Sequence, residues 1–267
     1  MSTAAAKKEK RDRQLFFDRK EKFAILSTMI RKTAGIFIGV FFLLNSLSFA
    51  HPFRPGEKLS YTIKLIGIPA GSQVLQVKEI VEDGTGPLYL LTSKVKSSGV
   101  VSFFFHLEDE IESYVDAKTL FPRFVRIKIQ EDSRRENVEV EIKKEDKIKA
   151  FIWDKKRERK WEKKLSSPPL DILSLIYWIR AQDLKIGKKY EVLLLDIPGS
   201  FKKIQFEISG LDKAYTYLGV FSALVCEQKG VENGIKVWFS QDKRHLPLYI
   251  QIATPFGYLK AILRKIG

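Results

Sequence analysis

The chain has 267 residues, a formal net charge of +15 and one cysteine. Apolar residues make up 45% of it, which is ordinary for a globular protein, so a full core can form. A single cysteine excludes an internal disulfide. Residues 1–50 carry ten basic and four acidic side chains, a net charge of +6, so residues 51–267 carry the remaining +9. The basicity therefore belongs to both parts and indicates an anionic partner.

The first recognisable segment is an export signal. A basic pair, Arg31-Lys32, precedes an apolar run at 34–44, and small residues stand at Ser48 and Ala50. This order is typical of a secretory signal peptide cleaved after Ala50. The run is short for a bilayer, which needs about 20 apolar residues, so an inner-membrane anchor formed by residues 33–50 is the alternative.

We therefore predict two parts. Residues 1–50 form a signal peptide region with a long charged start, and a start at Met29 would give a signal peptide of ordinary length. Residues 51–267 form one mature domain, exported to the periplasm. An alternative is two halves of this domain that meet near residues 165–185.

Alternating apolar and polar residues follow the export signal. Leu59, Tyr61, Ile63 and Leu65 alternate with polar residues, as in a half-buried strand. Similar runs recur every ten or so residues, separated by turn residues, which is typical of a large antiparallel sheet. The runs before the helix are 59–65, 74–81, 88–95, 100–105, 111–115, 124–130, 138–143 and 147–153. A basic hairpin at 154–164, with Trp161 among its cations, completes this half.

One helix is predicted at about 169–182. Pro168 and Pro169 suit a helix entrance, because the first turn needs no N–H donors there. Asp171 and Arg180 have the charges that the helix dipole favours at each end. An apolar stripe at i, i+3, i+4 and i+7 indicates burial against a sheet; it consists of Ile172, Leu175, Ile176 and Ile179.

Strand patterns resume after the helix. Asn233-Gly234 is a strong hairpin signal among the turns. The runs are 190–195, 201–208, 215–218, 223–229, 235–240, 248–253 and 258–264. The fold class predicted is mainly β: a large curved antiparallel sheet, as a half-barrel or as two packed half-sheets, with one buried helix.

Seven short motifs in a fixed order carry a resemblance. They are FRPGEKLSY at 53–61, GIPAG at 67–71, DILSLIYWIR at 171–180, LKIG at 184–187, WFSQD at 238–242, LPL at 246–248 and FG at 256–257. Together they resemble the bacterial domain-of-unknown-function family numbered 3108, over nearly all of residues 53–267. The resemblance implies an exported, mostly β protein and supplies neither an activity nor catalytic residues.

No catalytic set stands out among the candidate residues. Ser240, Asp242 and His245 lie close in sequence, but an Asp at this position is typical of a turn, and no nucleophile elbow is present. We predict no catalytic residues, no metal ligands and no cofactor. Cys226 is expected to be a buried apolar filler.

The leading hypothesis is a non-enzymatic envelope protein that binds an apolar or lipid-like ligand in a groove between the sheet and the helix. Basic residues at the rim would meet an anionic part of the ligand or an anionic envelope surface. The residues expected to line this groove are Phe103, Phe105, Tyr177, Trp178, Arg180 and Trp238. Export excludes nucleic acid as the natural partner. The alternatives are a structural or assembly factor that binds another envelope protein, and a hydrolase of envelope polymers.

Overall fold

A computed structural model describes residues 51–99, 102, 106–132, 134–197, 199–231, 234–254 and 257–267. The predicted export segment and two of the predicted ligand residues, Phe103 and Phe105, lie outside these ranges. The predicted strand at 100–105 does so as well, except for residue 102.

The described residues form one 15-stranded sheet. Its order is β8-β7-β6-β5-β4-β3-β2-β1-β15-β14-β13-β12-β11-β10-β9, so almost every strand pairs with its neighbours in sequence. The strands are β1 (Lys58–Leu65), β2 (Ile68–Glu82), β3 (Pro87–Ser97), β4 (Leu107–Asp116), β5 (Pro122–Glu131), β6 (Arg135–Lys144), β7 (Ile148–Asp154), β8 (Arg159–Leu165), β9 (Pro169–Leu170), β10 (Lys189–Asp196), β11 (Ser200–Thr216), β12 (Gly219–Gln228), β13 (Lys236–Ser240), β14 (Pro247–Thr254) and β15 (Gly257–Ile266). All pairs are antiparallel except the parallel pair of β9 and β10.

The two edges of this sheet are close together. Strand β8 ends at Leu165 at one edge, and β9 begins at Pro169 at the other. Four residue steps of extended chain span at most about 14 Å, so the sheet must curl until its edges nearly meet. The prediction of a curved antiparallel sheet is therefore confirmed, as one continuous, nearly closed, barrel-like sheet.

The predicted helix is confirmed, but it is shorter than 169–182. Helix α1 spans Ile172–Arg180. Pro169 and Leu170 form the short strand β9 instead of the helix entrance. Asp171 is the N-cap, with extended backbone, and its Oδ1 accepts the N–H groups of Leu173 at 2.9 Å and Ser174 at 3.2 Å. Ser174 Oγ accepts the N–H of Asp171 in return, which completes a capping box and sets the start of the helix.

The helix is buried, as predicted. Seven of its nine residues are buried: Leu173, Ser174, Leu175, Ile176, Tyr177, Ile179 and Arg180. Its N-cap is fixed to the sheet, because the buried Ser113 hydroxyl of β4 donates to Asp171 Oδ2 at 2.7 Å. Each buried Leu or Ile contributes roughly 1.5–3 kcal/mol of transfer free energy, so the helix is a main part of the core.

A second part of the core joins distant strands. Val125, Val140 and Ile152, from β5, β6 and β7, pack in one cluster with Leu195 of β10. The turn between β10 and β11 reaches the same place, since a Cβ added at Gly199 would lie 2.8 Å from a methyl group of Ile152. The two ends of the sheet are thus held together by packing.

The cap at Asp171 gives a testable prediction. Asp171→Ala removes the acceptor of two helix N–H groups and leaves the buried Ser113 hydroxyl without its acceptor. We expect a loss of about 3 kcal/mol in the free energy of unfolding, measured by urea titration. Asp183→Ala, at a side chain 63% exposed, is the control and should change it by less than about 0.5 kcal/mol. Equal effects of the two substitutions would contradict this account of the cap.

Candidate functional site

The predicted ligand residue Arg180 forms an ion pair in the interior. Its side chain is fully buried, and its two terminal nitrogens donate to the two oxygens of Glu57 at 2.6 and 3.0 Å. Arg180 Nε also donates to the carbonyl of Arg244 at 3.3 Å. This bidentate pair joins the end of α1 to the segment before β1 and to the turn between β13 and β14.

Tyr177 packs beside this pair. Its ring meets that of Phe53 edge to face at 5.0 Å, and the Arg180 guanidinium lies 5.2 Å from the Tyr177 ring centre. Burial raises the pKa of Tyr177, and its hydroxyl has no hydrogen-bond partner among the described residues. Tyr177 and Arg180 therefore belong to a packed interior.

The other two described candidates lie elsewhere. Trp178 is half-buried and meets the rings of Phe121 at 6.3 Å and Tyr190 at 5.7 Å. Trp238 is also buried, but it alternates with Val237 and Phe239 and has the Lys260 ammonium 5.2 Å from its ring centre, on the opposite, outer face of the sheet. Its indole N–H donates to Asp212 Oδ2 at 2.9 Å. The structure thus does not bring Trp238 together with the helix residues, and contact of any of these side chains with a ligand stays a prediction.

The outer face of β5–β8 carries a different candidate site, which we call the aromatic groove. It has a volume of ≈ 330 Å³, near the lower end for small-molecule sites, which span about 300–1,000 Å³. It is lined by Phe124, Glu139, Glu141, Phe151, Ile152, Trp153, Lys160 and Trp161. Of these residues, Ile152 is buried in the core and Trp161 is its cross-strand partner, so both belong to the inner face, and the rings on the outer face are Phe124, Phe151 and Trp153. Sequence reasoning noted Trp161 among the cations of the hairpin but missed the three outer rings. The signal for them was the alternation of Phe151 and Trp153 with the buried Ala150 and Ile152.

Cations surround the rings of this groove. The ammonium groups of Lys155 and Lys160 lie 4.6 and 4.4 Å from the centre of the Trp153 ring. That of Lys143 lies 5.3 Å from the Phe151 ring centre. Such distances are typical of cation–π contacts, so the groove offers apolar surface and positive charge together.

A row of three lysines borders the aromatic groove. Lys143 pairs with Lys149 across β6 and β7, and Lys149 pairs with Lys164 across β7 and β8. Paired residues share a face, and Lys149 alternates with Ala150 as Phe151 does, so this lysine row lies on the same outer face as Phe151. Like charges directly opposite each other destabilise a sheet. Two carboxylates offset part of this cost: Glu141 lies 3.2 Å from Lys143, and Glu162 lies 3.9 Å from Lys149.

Glu139, one of the two carboxylates that line the groove, is held in its ionised form. Burial acts to raise the pKa of Glu139, but hydrogen bonds from Lys155 at 2.6 Å and Arg126 at 2.9 Å outweigh it, so the pKa is lowered. A carboxylate with a lowered pKa is a poor general acid or base near neutral pH.

Ser240 is the last residue of β13, and Asp242 lies in the turn that follows it, as predicted. Ser240 Oγ donates to Asp242 Oδ1 at 2.7 Å and accepts the N–H of Leu246 at 2.8 Å. His245 Nδ1 lies instead 2.8 Å from the carbonyl oxygen of Arg180. Cys226 is buried and unpaired, as expected. The described residues contain no group of three or more His, Cys, Asp or Glu side chains that could hold a metal ion.

The fold shows the structural class of the protein, which is mainly β, with a sheet that nearly closes around a helix. Within that class, the chain belongs to the family described as protein of unknown function (DUF3108), which matches residues 60–264. This confirms the resemblance carried by the sequence motifs. Across the described ranges, no helix combines the length and apolar character required to cross a bilayer.

Comparison with other proteins adds two solved structures. One is a β-barrel-like protein of the domain of unknown function DUF1849 from Brucella abortus, 13% identical, with a TM-score of 0.49; the match covers 79% of this chain and 96% of that one. The other is a DUF1089 family protein from Pseudomonas aeruginosa, 14% identical, with a TM-score of 0.39, covering 67% and 88%. No curated protein matches the chain.

The buried ion pair gives a second prediction. Glu57→Gln leaves the fully buried Arg180 without its counter-charge, and we expect the free energy of unfolding to fall by about 3–5 kcal/mol in urea titrations. Glu110→Gln breaks an exposed pair with Lys94, whose side chain is 59% exposed, and should cost less than about 1 kcal/mol. The double variant Glu57→Leu with Arg180→Met leaves no buried charge and should be more stable than Glu57→Gln. A double variant no more stable than Glu57→Gln would contradict the cost assigned to the lone charge.

A third prediction concerns pH. Partial burial raises the pKa of Asp109 to about 6, although its carboxylate accepts the N–H of Gln130. The folded state therefore keeps this proton at pH values where the unfolded chain, with a pKa near 3.8, has lost it. The contribution of Asp109 to stability is present below the unfolded pKa and is lost as pH rises toward 6. Asp109→Asn should remove this decline in urea titrations at a series of pH values; an unchanged pH dependence would refute the assignment.

Proposed function

We propose that this chain is an exported, non-enzymatic protein of the bacterial envelope that binds a lipid-like ligand with an apolar part and an anionic end. Export rests on the segment at 31–50, whose order is typical of a signal peptide. The site is the aromatic groove on the outer face of β5–β8, in place of the groove between sheet and helix. The interior is occupied by the packed helix and by the pair of Arg180 and Glu57, whereas the outer face offers accessible rings.

The observation that carries the proposal is the lysine row beside the aromatic rings. Three adjacent lysines repel one another and lower the stability of the folded sheet. A surface with only a structural role gains nothing from this repulsion. An anionic group bound there would offset this repulsion. The rings of Phe124, Phe151 and Trp153 would cover the apolar part, which is the usual division between apolar lining and a few oriented charges in a ligand site.

The non-enzymatic part of the proposal is supported by the state of the groove carboxylates. Glu139 accepts hydrogen bonds from two cations, and Glu141 has Lys143 beside it. These contacts keep both side chains engaged in ion pairs on the sheet surface. A binding role uses such a surface directly, whereas acid–base catalysis needs a group that exchanges protons near the working pH.

The test separates the two halves of the ligand. The full chain is titrated with a fluorescent long-chain fatty acid and with the matching uncharged alcohol. The triple variant Lys143→Gln, Lys149→Gln, Lys164→Gln should bind the acid about tenfold more weakly, which corresponds to about 1.4 kcal/mol, and the alcohol unchanged. Trp153→Ser should weaken binding of both probes, because both need the apolar surface.

A matched control carries the same loss of charge elsewhere. The triple variant Lys185→Gln, Lys202→Gln, Lys203→Gln removes three exposed lysines outside the groove, and should bind both probes like the unmodified chain. The proposal is refuted by wild-type protein that binds neither probe, or by equal losses in the two triple variants. Lipid extraction and mass spectrometry of protein purified from the envelope would then identify the bound ligand.

A further inference from the structure

A second surface lies away from the aromatic groove, at the far end of the β11–β12 hairpin. Strand β13 pairs with β12 only between Ala223 and Glu227. Beyond this, β11 and β12 continue as a two-stranded extension at 213–222. We call this extension, together with the adjoining residues 211–212 and 223–224, the arm. The arm lies over neighbouring strands: the Tyr249 hydroxyl of β14 donates to the Tyr215 carbonyl, and the Tyr217 N–H donates to the Leu263 carbonyl of β15 at 3.3 Å.

The two faces of the arm differ. One face packs inward with the paired residues Ala214, which is fully buried, and Phe221, which is half-buried. The other face and the tip present large apolar side chains to water. This exposed set, the arm patch, consists of Leu211 (54% exposed), Tyr215 (63%), Tyr217 (53%), Leu218 (43%) and Val220 (61%).

The arm patch continues toward the turn between β1 and β2. Lys64 Nζ lies 5.9 Å from the centre of the Tyr217 ring, and the next turn exposes Ile66 (72%) and Ile68 (62%). A group of large exposed apolar side chains of this kind is typical of an interaction surface.

The charge around the arm patch identifies its partner. The segments 58–78, 211–226 and 243–267 contain nine Lys and Arg residues and one acidic residue, Asp212, a net charge of +8. Residues 51–267 carry a net charge of +9, so the rest of this part of the chain sums to +1. Most of its net charge therefore lies on the strands that carry and support the arm and on the segments that flank them. A second copy of the chain would bring the same positive charge to the contact, which disfavours self-association.

We propose that the arm patch docks on the surface of an anionic lipid bilayer. Tyrosines and aliphatic side chains exposed on the arm suit the boundary between headgroups and acyl chains. Lys64 and Lys213, beside the patch, would meet the phosphate groups, since basic residues near an anionic leaflet are attracted to it. This surface is separate from the aromatic groove. Bilayer docking by the arm patch can therefore be refuted without refuting ligand binding in the groove, and the reverse also holds.

The experiment places a photoreactive benzoylphenylalanine at position 218 of the full chain, or at position 186 as the control. Ile186 is exposed to a similar degree, 58%, and lies outside the arm. Each protein is illuminated with vesicles of phosphatidylethanolamine and phosphatidylglycerol, and lipid adducts are measured by mass spectrometry. The export segment is present in both proteins, so it does not affect their difference. We expect a lipid adduct at position 218 and almost none at 186.

Two further variants test the chemistry. Lys64→Gln with Lys213→Gln should lower the yield of adduct at position 218 by about tenfold, and should leave fatty-acid binding in the aromatic groove unchanged. Tyr215→Ser with Val220→Ser should lower it as well, while Ile186→Ser should not. No lipid adduct at position 218, equal yields at 218 and 186, or an adduct to a second protein in place of lipid would each overturn the proposal.

Discussion

The pair of Arg180 and Glu57 is the contact on which the interior depends. A guanidinium that is fully buried must have a counter-charge, because removing it from water alone costs several kcal/mol. Here the bidentate geometry and the Arg244 carbonyl provide partners for it. The pair also joins segments 123 residues apart in the chain, so the end of the helix and the start of the sheet are positioned together.

The other end of the helix is also held in place by polar contacts. Asp171 uses one carboxylate oxygen for its own helix and the other for Ser113 of β4. Both ends of α1 therefore have polar contacts that specify position, while apolar side chains between them supply the burial. With the concave side occupied in this way, the accessible rings and cations lie on the outside of the sheet, which is where both proposed surfaces are found.

Much of the fold could be predicted from alternation and turn chemistry alone. The strands and the helix were located because period-two and i, i+3, i+4 patterns are local. The arm was missed: two short runs, 201–208 and 215–218, were predicted where β11 is continuous from Ser200 to Thr216. The register shift between Ile208 and Gly210 interrupts the alternation there, so a continuous strand resembles two.

The candidate site was less predictable for a related reason. Alternation shows that two residues share a face but not which face turns inward. Trp238 was therefore grouped with Tyr177, although a whole sheet thickness separates inner from outer side chains. Arg180 was expected to line a ligand groove, because its partner Glu57 is distant in sequence and no local pattern identifies such a pair. The alternation of Phe151 and Trp153 with buried residues could be recognised in the sequence. Their role in a candidate binding site depends on the lysines that neighbouring strands place beside them.

The pairing of β1 with β15 has a consequence for how the protein matures. These strands meet along seven residue pairs, from Leu59 with Ile266 to Leu65 with Leu259. A chain that is synthesised from β1 onward presents β1 first and its partner last, so one edge of β1 stays unpaired until β15 is made. Contacts of such long sequence separation form slowly. Final assembly of the sheet thus becomes a late event, completed only when the last strand has been made.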